Sequence, residues 1–186
     1  MPIYIVSGFM RSGTSMMMQA LEAGGLEAVY NPDRDKMNDT HGDADYQINS
    51  GGFYELNGQQ YQHPDFPNNC EGKLVKYLWG GMPLLRASES VKHIIFMRRP
   101  IAEIAASYEA AFGSKHPMAI PELDAKLDRI QDILAMRRDV CLKVMQYHDV
   151  LVEPYDEFYR LRDAGWPITP VLASAIVNPT LRRHVA

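Results

Sequence analysis

Short apolar runs recur along this chain, and segments with helical character separate them. Residues 3–6 form an apolar, β-branched run, which is typical of a buried strand in a parallel sheet. The runs at residues 73–78 and 91–97 have the same character. Residues 16–23 and 101–111 are rich in helix-forming side chains. This alternation predicts an α/β fold, in which helices flank a central, mainly parallel sheet.

The second half of the chain is predicted to contain a long helix, a last strand and a short helix. The long helix starts at Pro121, and its apolar positions fall on one side, as a core-facing stripe does. That stripe consists of Leu123, Leu127, Ile130, Leu134, Cys141 and Met145. We expect the last strand at residues 148–152 and the short helix at residues 156–163.

Residues 31–52 interrupt this pattern with a polar stretch rich in Asp, Asn and Gly. Compact domains seldom contain a loop of this length unless it has a function. We interpret it as a mobile lid or substrate-binding loop, with a disordered insertion as the alternative.

Composition narrows the class of protein. The chain has 186 residues, and we expect residues 1–186 to form one domain. The net charge of −4 gives no support for general nucleic-acid binding. Cys70 and Cys141 show neither the spacing of a metal site nor that of a disulfide framework, so we expect reduced thiols in the cytoplasm. We expect no signal peptide before the first strand and no membrane-spanning helix.

The loop after the first strand carries the strongest chemical signal. The spacing Gly8-x4-Gly13-x-Ser15 fits a P-loop, in which glycines let the backbone wrap an anion at a helix N-terminus. Thr14 occupies the position where a kinase or NTPase has its lysine, which argues against ordinary ATP or GTP chemistry. Arg11 lies within the loop and can supply the missing positive charge.

A second motif lies at the end of the clearest internal strand. There residues 94–97 run into Arg98, Arg99 and Pro100, and Ser107 follows in the next predicted helix. Together the two motifs resemble those of the P-loop sulfotransferases, especially small bacterial sulfotransferase-like proteins. The resemblance implies a P-loop NTPase-like three-layer sandwich and a donor, 3′-phosphoadenosine 5′-phosphosulfate (PAPS).

The resemblance also implies which residues hold the donor. The 5′-phosphosulfate would bind the first motif, through Gly8, Arg11, Ser12, Gly13, Thr14 and Ser15. The 3′-phosphate would bind an arginine and a serine of the second motif. The family's usual spacing of eight favours Arg99 with Ser107, whereas its usual proline two residues after the arginine favours Arg98, so both remain candidates.

Two cations and a carboxylate are candidates for the sulfuryl-transfer step. Arg11 and Lys76 would stabilise charge on the sulfuryl group, Lys76 because the family often has a lysine at the end of this strand; the alternative is a lysine that protects a sheet edge. Glu55 is the first candidate for general base, with a surface carboxylate as the alternative, and His41 and His63 are reserves. Tyr77 and Trp79 are candidates for contact with adenine or an aromatic acceptor, with core or rim packing as the alternative. Arg182 and Arg183 are candidates to close over the 3′-phosphate, as a C-terminal basic segment does in some members of the family, with an exposed tail as the alternative.

These observations favour a sulfotransferase that moves a sulfuryl group from PAPS to a hydroxyl or amine acceptor, without a metal. One alternative is a P-loop kinase or NTPase, which Thr14 and the lack of a strand-ending aspartate disfavour, because Asp149 is predicted to begin a strand. Another is a non-catalytic nucleotide-binding module. The sequence identifies neither the acceptor nor an oligomeric state.

Overall fold

The computed structural model describes residues 1–33, 35, 52–114 and 120–181 of the chain. The predicted mobile loop at residues 31–52 therefore falls largely outside the described residues, and so do His41, Arg182 and Arg183.

A parallel sheet forms the centre of the molecule, as the sequence predicts. Its strands are β1 (Ile3–Gly8), β2 (Ala28–Val29), β3 (Leu74–Lys76), β4 (Lys92–Arg98) and β5 (Val140–Gln146). They lie in the order β2-β3-β1-β4-β5, and every neighbouring pair is parallel. The carboxyl ends of β3, β1 and β4 are therefore adjacent, and loops that follow these strands meet at one edge of the sheet.

Helices cover the sheet within the described residues. They are α1 (Thr14–Ala23), α2 (Gly58–Gln62), α3 (Ile101–Phe112), α4 (Ile120–Ala135), α5 (Tyr147–Val152), α6 (Pro154–Asp163) and α7 (Pro170–Ser174). Short 3₁₀ turns lie at Asn68–Cys70, Trp79–Leu84 and Pro179–Leu181. No helix in the described part of the chain is both long and apolar enough to cross a bilayer.

The two faces of β1 contribute to two separate cores. Tyr4 and Val6 are buried with side chains of α1 and α5–α7, whereas Ile3 and Ile5 are buried with side chains of α3 and α4. This alternation follows from the two-residue period of a strand that is covered on both faces. The predicted three-layer α/β sandwich is confirmed.

The predicted last strand is wrong. β5 ends at Gln146, and residues 148–152 belong to α5, in which Val150 and Leu151 are buried and Val152 is exposed. The long helix likewise ends at Ala135, so Cys141 and Met145 belong to a strand. A short apolar run does not distinguish a strand from a buried helix by its periodicity, and parallel pairing of β5 with β4 determines the outcome.

Candidate functional site

The P-loop connects β1 to α1 with a backbone that only special residues adopt easily. Gly8, Gly13 and the non-glycine Arg11 all have positive φ, at 139°, 94° and 70°. A Cβ at Gly13 would lie 2.6 Å from the Tyr147 ring, so glycine is required there for space as well as for conformation. The loop is therefore tightly wrapped and packed against the residue that follows β5.

The loop directs the start of α1 toward the carboxyl edge of the sheet. Gly13 provides no side-chain cap for this helix, so backbone N–H groups of its first turn and the positive end of its dipole can serve an anion. Thr14 and Ser15, the first two residues of α1, are buried. This arrangement is suited to holding a phosphate or sulfate group.

Arg11 joins the two sequence motifs. Its Nε donates a hydrogen bond of 3.1 Å to Oγ of Ser107, which is buried on α3. The side chain therefore lies between the P-loop and the helix that follows β4. The structure thus brings Arg11 and Ser107 together, although 96 positions separate them in the sequence.

Arg99 also reaches the P-loop. Its Nη1 donates to the carbonyl oxygen of Arg11 at 3.1 Å, and its Nε donates to Glu103 at 2.9 Å. The guanidinium lies over the Tyr147 ring, 4.5 Å from the centroid. Because Arg99 is buried and bonds the backbone of a residue in a strained conformation, it stabilises the shape of the loop.

Arg98 lies in a different environment. It donates to Asp124 at 2.5 Å and to Asp128 at 2.9 Å, and both carboxylates belong to α4. Arg99 and Ser107, the pair with the spacing of eight, both contact Arg11, whereas Arg98 bonds α4.

Glu103 connects Arg99 to His148 of α5. The Nε2 atom of His148 lies 2.9 Å from Oε1 of Glu103. Burial raises the pKa of the Glu103 carboxyl, but hydrogen bonds from His148 and Arg99 outweigh it and hold the pKa below its usual value. Glu103 is therefore ionised at neutral pH and balances the charge of Arg99.

Lys76 is the last residue of β3 and is almost fully buried. Its Nζ donates to Ser15 Oγ at 3.0 Å and to the Phe53 carbonyl at 2.7 Å. Because β3 lies between β2 and β1, the alternative of a lysine that protects a sheet edge is wrong. The ammonium instead adds a positive charge beside the first turn of α1.

Glu55 lies on the same side of the P-loop. Its Oε1 is 3.9 Å from Lys76 Nζ, and only 18% of its side chain is exposed, so it is not the surface carboxylate of the alternative interpretation. A carboxylate in this position could serve as a general base for an acceptor held beside the P-loop.

A conformationally constrained segment precedes Glu55. Tyr54 has a positive φ of 57°, its N–H donates to Asp35 Oδ2 at 3.1 Å, and its hydroxyl donates to Glu22 Oε2 at 2.5 Å. Burial, followed by the bond to Glu22, raises the pKa of the Tyr54 phenol, so it stays protonated at neutral pH. Among the non-glycine residues that the structure describes, only Tyr54 and Arg11 have a positive φ.

The remaining described candidates are His63, Trp79 and Tyr77. His63 is about half exposed and is 3.9 Å from Asp65. Trp79 packs against Phe9 of the P-loop, and Tyr77 packs against Tyr61 and Phe66, so both candidate rings take part in aromatic packing. No cluster of potential metal ligands is found among the residues that the structure describes.

The sequence interpretation missed Tyr147, Glu103 and the role of the Phe53 carbonyl. The sequence pattern predicts a strand at residues 148–152 and gives no sign that Tyr147 and His148 begin a helix beside the P-loop. Glu103 lies four residues after Arg99, and the pair meets where the chain enters α3. A backbone carbonyl such as that of Phe53 leaves no signal in the sequence.

Comparisons with known proteins give little beyond this geometry. No protein-family model matches the chain, and no curated protein matches it significantly. Among solved structures, the chain is similar to an unliganded sugar kinase from Janibacter sp. HTCC2649, with a TM-score of 0.46 and 12% sequence identity. That similarity covers 92% of this chain and 97% of the kinase.

Proposed function

We propose that this protein transfers a sulfuryl group from PAPS to a hydroxyl or amine acceptor by in-line displacement. The observation that supports this most is the position of Lys76, whose ammonium lies 3.0 Å from the Ser15 hydroxyl. In magnesium-dependent P-loop enzymes, the hydroxyl at this position of the loop binds the metal ion. Here a buried cation bonds that hydroxyl.

Electrostatics makes a second cation at this point unfavourable. Two unit charges 4 Å apart repel by about 4 kcal/mol at an effective dielectric constant of 20, and a divalent ion doubles that energy. The Glu55 carboxylate, 3.9 Å from Lys76, offsets part of this repulsion. A transfer chemistry that uses fixed cations instead of Mg²⁺ is therefore favoured. Lys76 and Arg11 would supply positive charge to a sulfuryl group held at the start of α1.

In the proposed reaction, the acceptor oxygen or nitrogen forms a bond to sulfur. The bond between sulfur and the bridging oxygen breaks, and 3′-phosphoadenosine 5′-phosphate leaves. Glu55 takes the proton of the acceptor, and Lys76 and Arg11 stabilise the charge that develops on the departing phosphate. Arg99 and Ser107 are the proposed contacts of the 3′-phosphate, and Arg98 is the weaker candidate because its guanidinium bonds α4.

Phosphoryl transfer is the second candidate. Glu55 lies 3.9 Å from Lys76, so a carboxylate is available near Ser15 if the ammonium moves aside and a metal ion enters. The fold is compatible with either reaction, because both use a P-loop between a strand and a helix. A module that binds nucleotides without turnover is the third outcome.

A transfer assay in a metal chelator separates these functions. Incubation of the protein with PAPS and a panel of phenols, alcohols and amines should yield 3′-phosphoadenosine 5′-phosphate at the same rate with or without EDTA. A matched assay with ATP and Mg²⁺ should yield no ADP. Turnover of ATP that EDTA abolishes would contradict the proposal and support a kinase.

A further inference from the structure

Lys76 is held by a segment that is itself attached to the P-loop helix. The Phe53 carbonyl accepts from Lys76 Nζ at 2.7 Å, and the carboxylate of Glu55 lies 3.9 Å from the same atom. Between these two residues, Tyr54 donates its phenol proton to Glu22 near the end of α1, at 2.5 Å. The ammonium is thus connected to both ends of α1, through Ser15 and through Glu22.

The backbone of this segment is constrained at Gly52 and at Tyr54. Gly52 has a φ of 87°, and a Cβ there would lie 2.8 Å from Asp35 Oδ2, the oxygen that accepts the Tyr54 N–H. A left-handed conformation at a residue with a large side chain costs about 1 kcal/mol or more and persists only where the surroundings enforce it. The phenol of Tyr54 is one such enforcing contact.

We propose that Tyr54 and Glu22 are positioning residues that hold the Phe53 carbonyl and the Glu55 carboxylate against Lys76 and thereby fix its ammonium beside Ser15. That the placement of the Lys76 ammonium matters for sulfuryl transfer rests on the proposed function. That Tyr54 and Glu22 hold the ammonium in place does not. Loss of the phenol–carboxylate hydrogen bond would let Tyr54 leave the left-handed region, which moves the two neighbours that contact Lys76.

The test compares variants that remove the bond with one that keeps it. Tyr54→Phe removes the donor and keeps the ring, and Glu22→Ala removes the acceptor. Glu22→Gln removes the charge and keeps an oxygen that accepts the phenol proton, so it should behave as the wild type does. Tyr159→Phe, at a partly exposed tyrosine of α6, is the matched control for loss of a phenol.

The first readout is independent of catalysis. Trace acetylation with acetic anhydride, followed by peptide mass spectrometry, measures how accessible and reactive the Lys76 amine is. We expect the rate at Lys76 to rise roughly two- to tenfold in Tyr54→Phe and Glu22→Ala, the range that corresponds to one hydrogen bond. The fully buried Lys92, at the opposite end of the sheet, is the internal reference and should not change.

The second readout is turnover. In Tyr54→Phe and Glu22→Ala, kcat should fall roughly two- to tenfold, as the labelling rate rises, while the KM for the donor stays within about twofold of the wild-type value. The double variant should lose no more kcat than either single variant, because the two substitutions remove the same hydrogen bond.

Three results would overturn the proposal: unchanged labelling at Lys76, equal increases at Lys76 and Lys92, or a Glu22→Gln variant that behaves as Glu22→Ala does. Equal increases would assign Tyr54 a general role in stability. If the labelling pattern holds but the wild type transfers no sulfuryl group, the positioning proposal stands and the proposed function fails.

Discussion

Arg98 and Arg99 are adjacent in sequence but differ in what they contact. Arg99 bonds the backbone of Arg11 and is buried, whereas Arg98 bonds two aspartates of α4 that are mostly exposed. The sequence could place both at the carboxyl end of β4, since an apolar run that ends in charged residues marks a strand end. It could not separate them, because the choice depends on which helix each side chain faces.

This difference predicts contrasting variants. Arg99→Ala should weaken binding of 3′-phosphoadenosine 5′-phosphate at least tenfold, because charge-assisted hydrogen bonds contribute about 1.5–3 kcal/mol each and the P-loop carbonyl loses its donor. Arg98→Ala is the matched control and should change the affinity by no more than about twofold. Calorimetric titration of both variants measures this, and a larger loss in Arg98→Ala would contradict the assignment.

Tyr54 and Arg11 show another limit of the sequence at this scale. Neither residue type indicates a positive φ, and both adopt one beside the candidate site. The P-loop could be predicted at Gly8 and Gly13 because glycine is the residue that such backbone favours. The segment before Glu55 could not be predicted, because its shape depends on the distant side chains of Glu22 and Asp35.

At the scale of elements, strands β1 and β4 could be predicted from their apolar runs, and β5 could not. Among the residues of β5, Met145 is buried, whereas Cys141, Val144 and Gln146 are exposed. Its place in the sheet comes from pairing with β4, which is not visible in the local pattern. Asp149, predicted to begin a strand, lies instead in α5, shortly after the end of β5, and β4 separates β5 from β1.

The starts of β4 and β5 are joined by a buried ionic cluster. Lys92, fully buried at the first position of β4, donates to Asp139 at 2.8 Å, and Arg137 donates to the same carboxylate at 2.7 Å. The hydrogen bonds of Arg137 and Lys92 outweigh burial and hold the pKa of Asp139 well below its usual value. This cluster lies at the amino end of the sheet, away from the P-loop.

Asp139→Asn should destabilise the protein by about 3 kcal/mol at pH 7, because it leaves the Lys92 ammonium buried without its counter-ion. The folded pKa of Asp139 is depressed, so its contribution is complete above the unfolded value of about 3.9 and is lost as pH falls below it. The difference in unfolding free energy between Asp139→Asn and the wild type should therefore be constant above about pH 5 and shrink below about pH 4.

Urea unfolding from pH 2 to pH 7 measures this difference. Asp163→Asn, at an exposed ion pair with Arg162, is the control and should change the unfolding free energy by less than about 1 kcal/mol. A constant difference across the whole pH range would contradict the assigned role of Asp139.

For the molecule as a whole, the predicted α/β architecture follows from alternating apolar runs and helical segments, and the structure has it. The edge formed by the ends of β3, β1 and β4 gathers Arg11 of the P-loop, Lys76 and Arg99, and the carboxylates of Glu55 and Glu103 lie beside Lys76 and Arg99. Among these residues three cations face two carboxylates, and the excess positive charge, together with the start of α1, is suited to an anionic ligand in a chain whose net charge is −4. The acceptor leaves no comparable signal, because loops that bind acceptors follow no fixed pattern.

The central claim is that this edge binds a nucleotide with a 3′-phosphate and without a metal ion. Calorimetric titration with 3′-phosphoadenosine 5′-phosphate in EDTA, beside ATP and GTP with Mg²⁺, tests it most directly. We expect the bisphosphate to bind at least tenfold more tightly than either triphosphate. Tighter binding of ATP or GTP that depends on Mg²⁺, or no binding of the bisphosphate, would contradict the account.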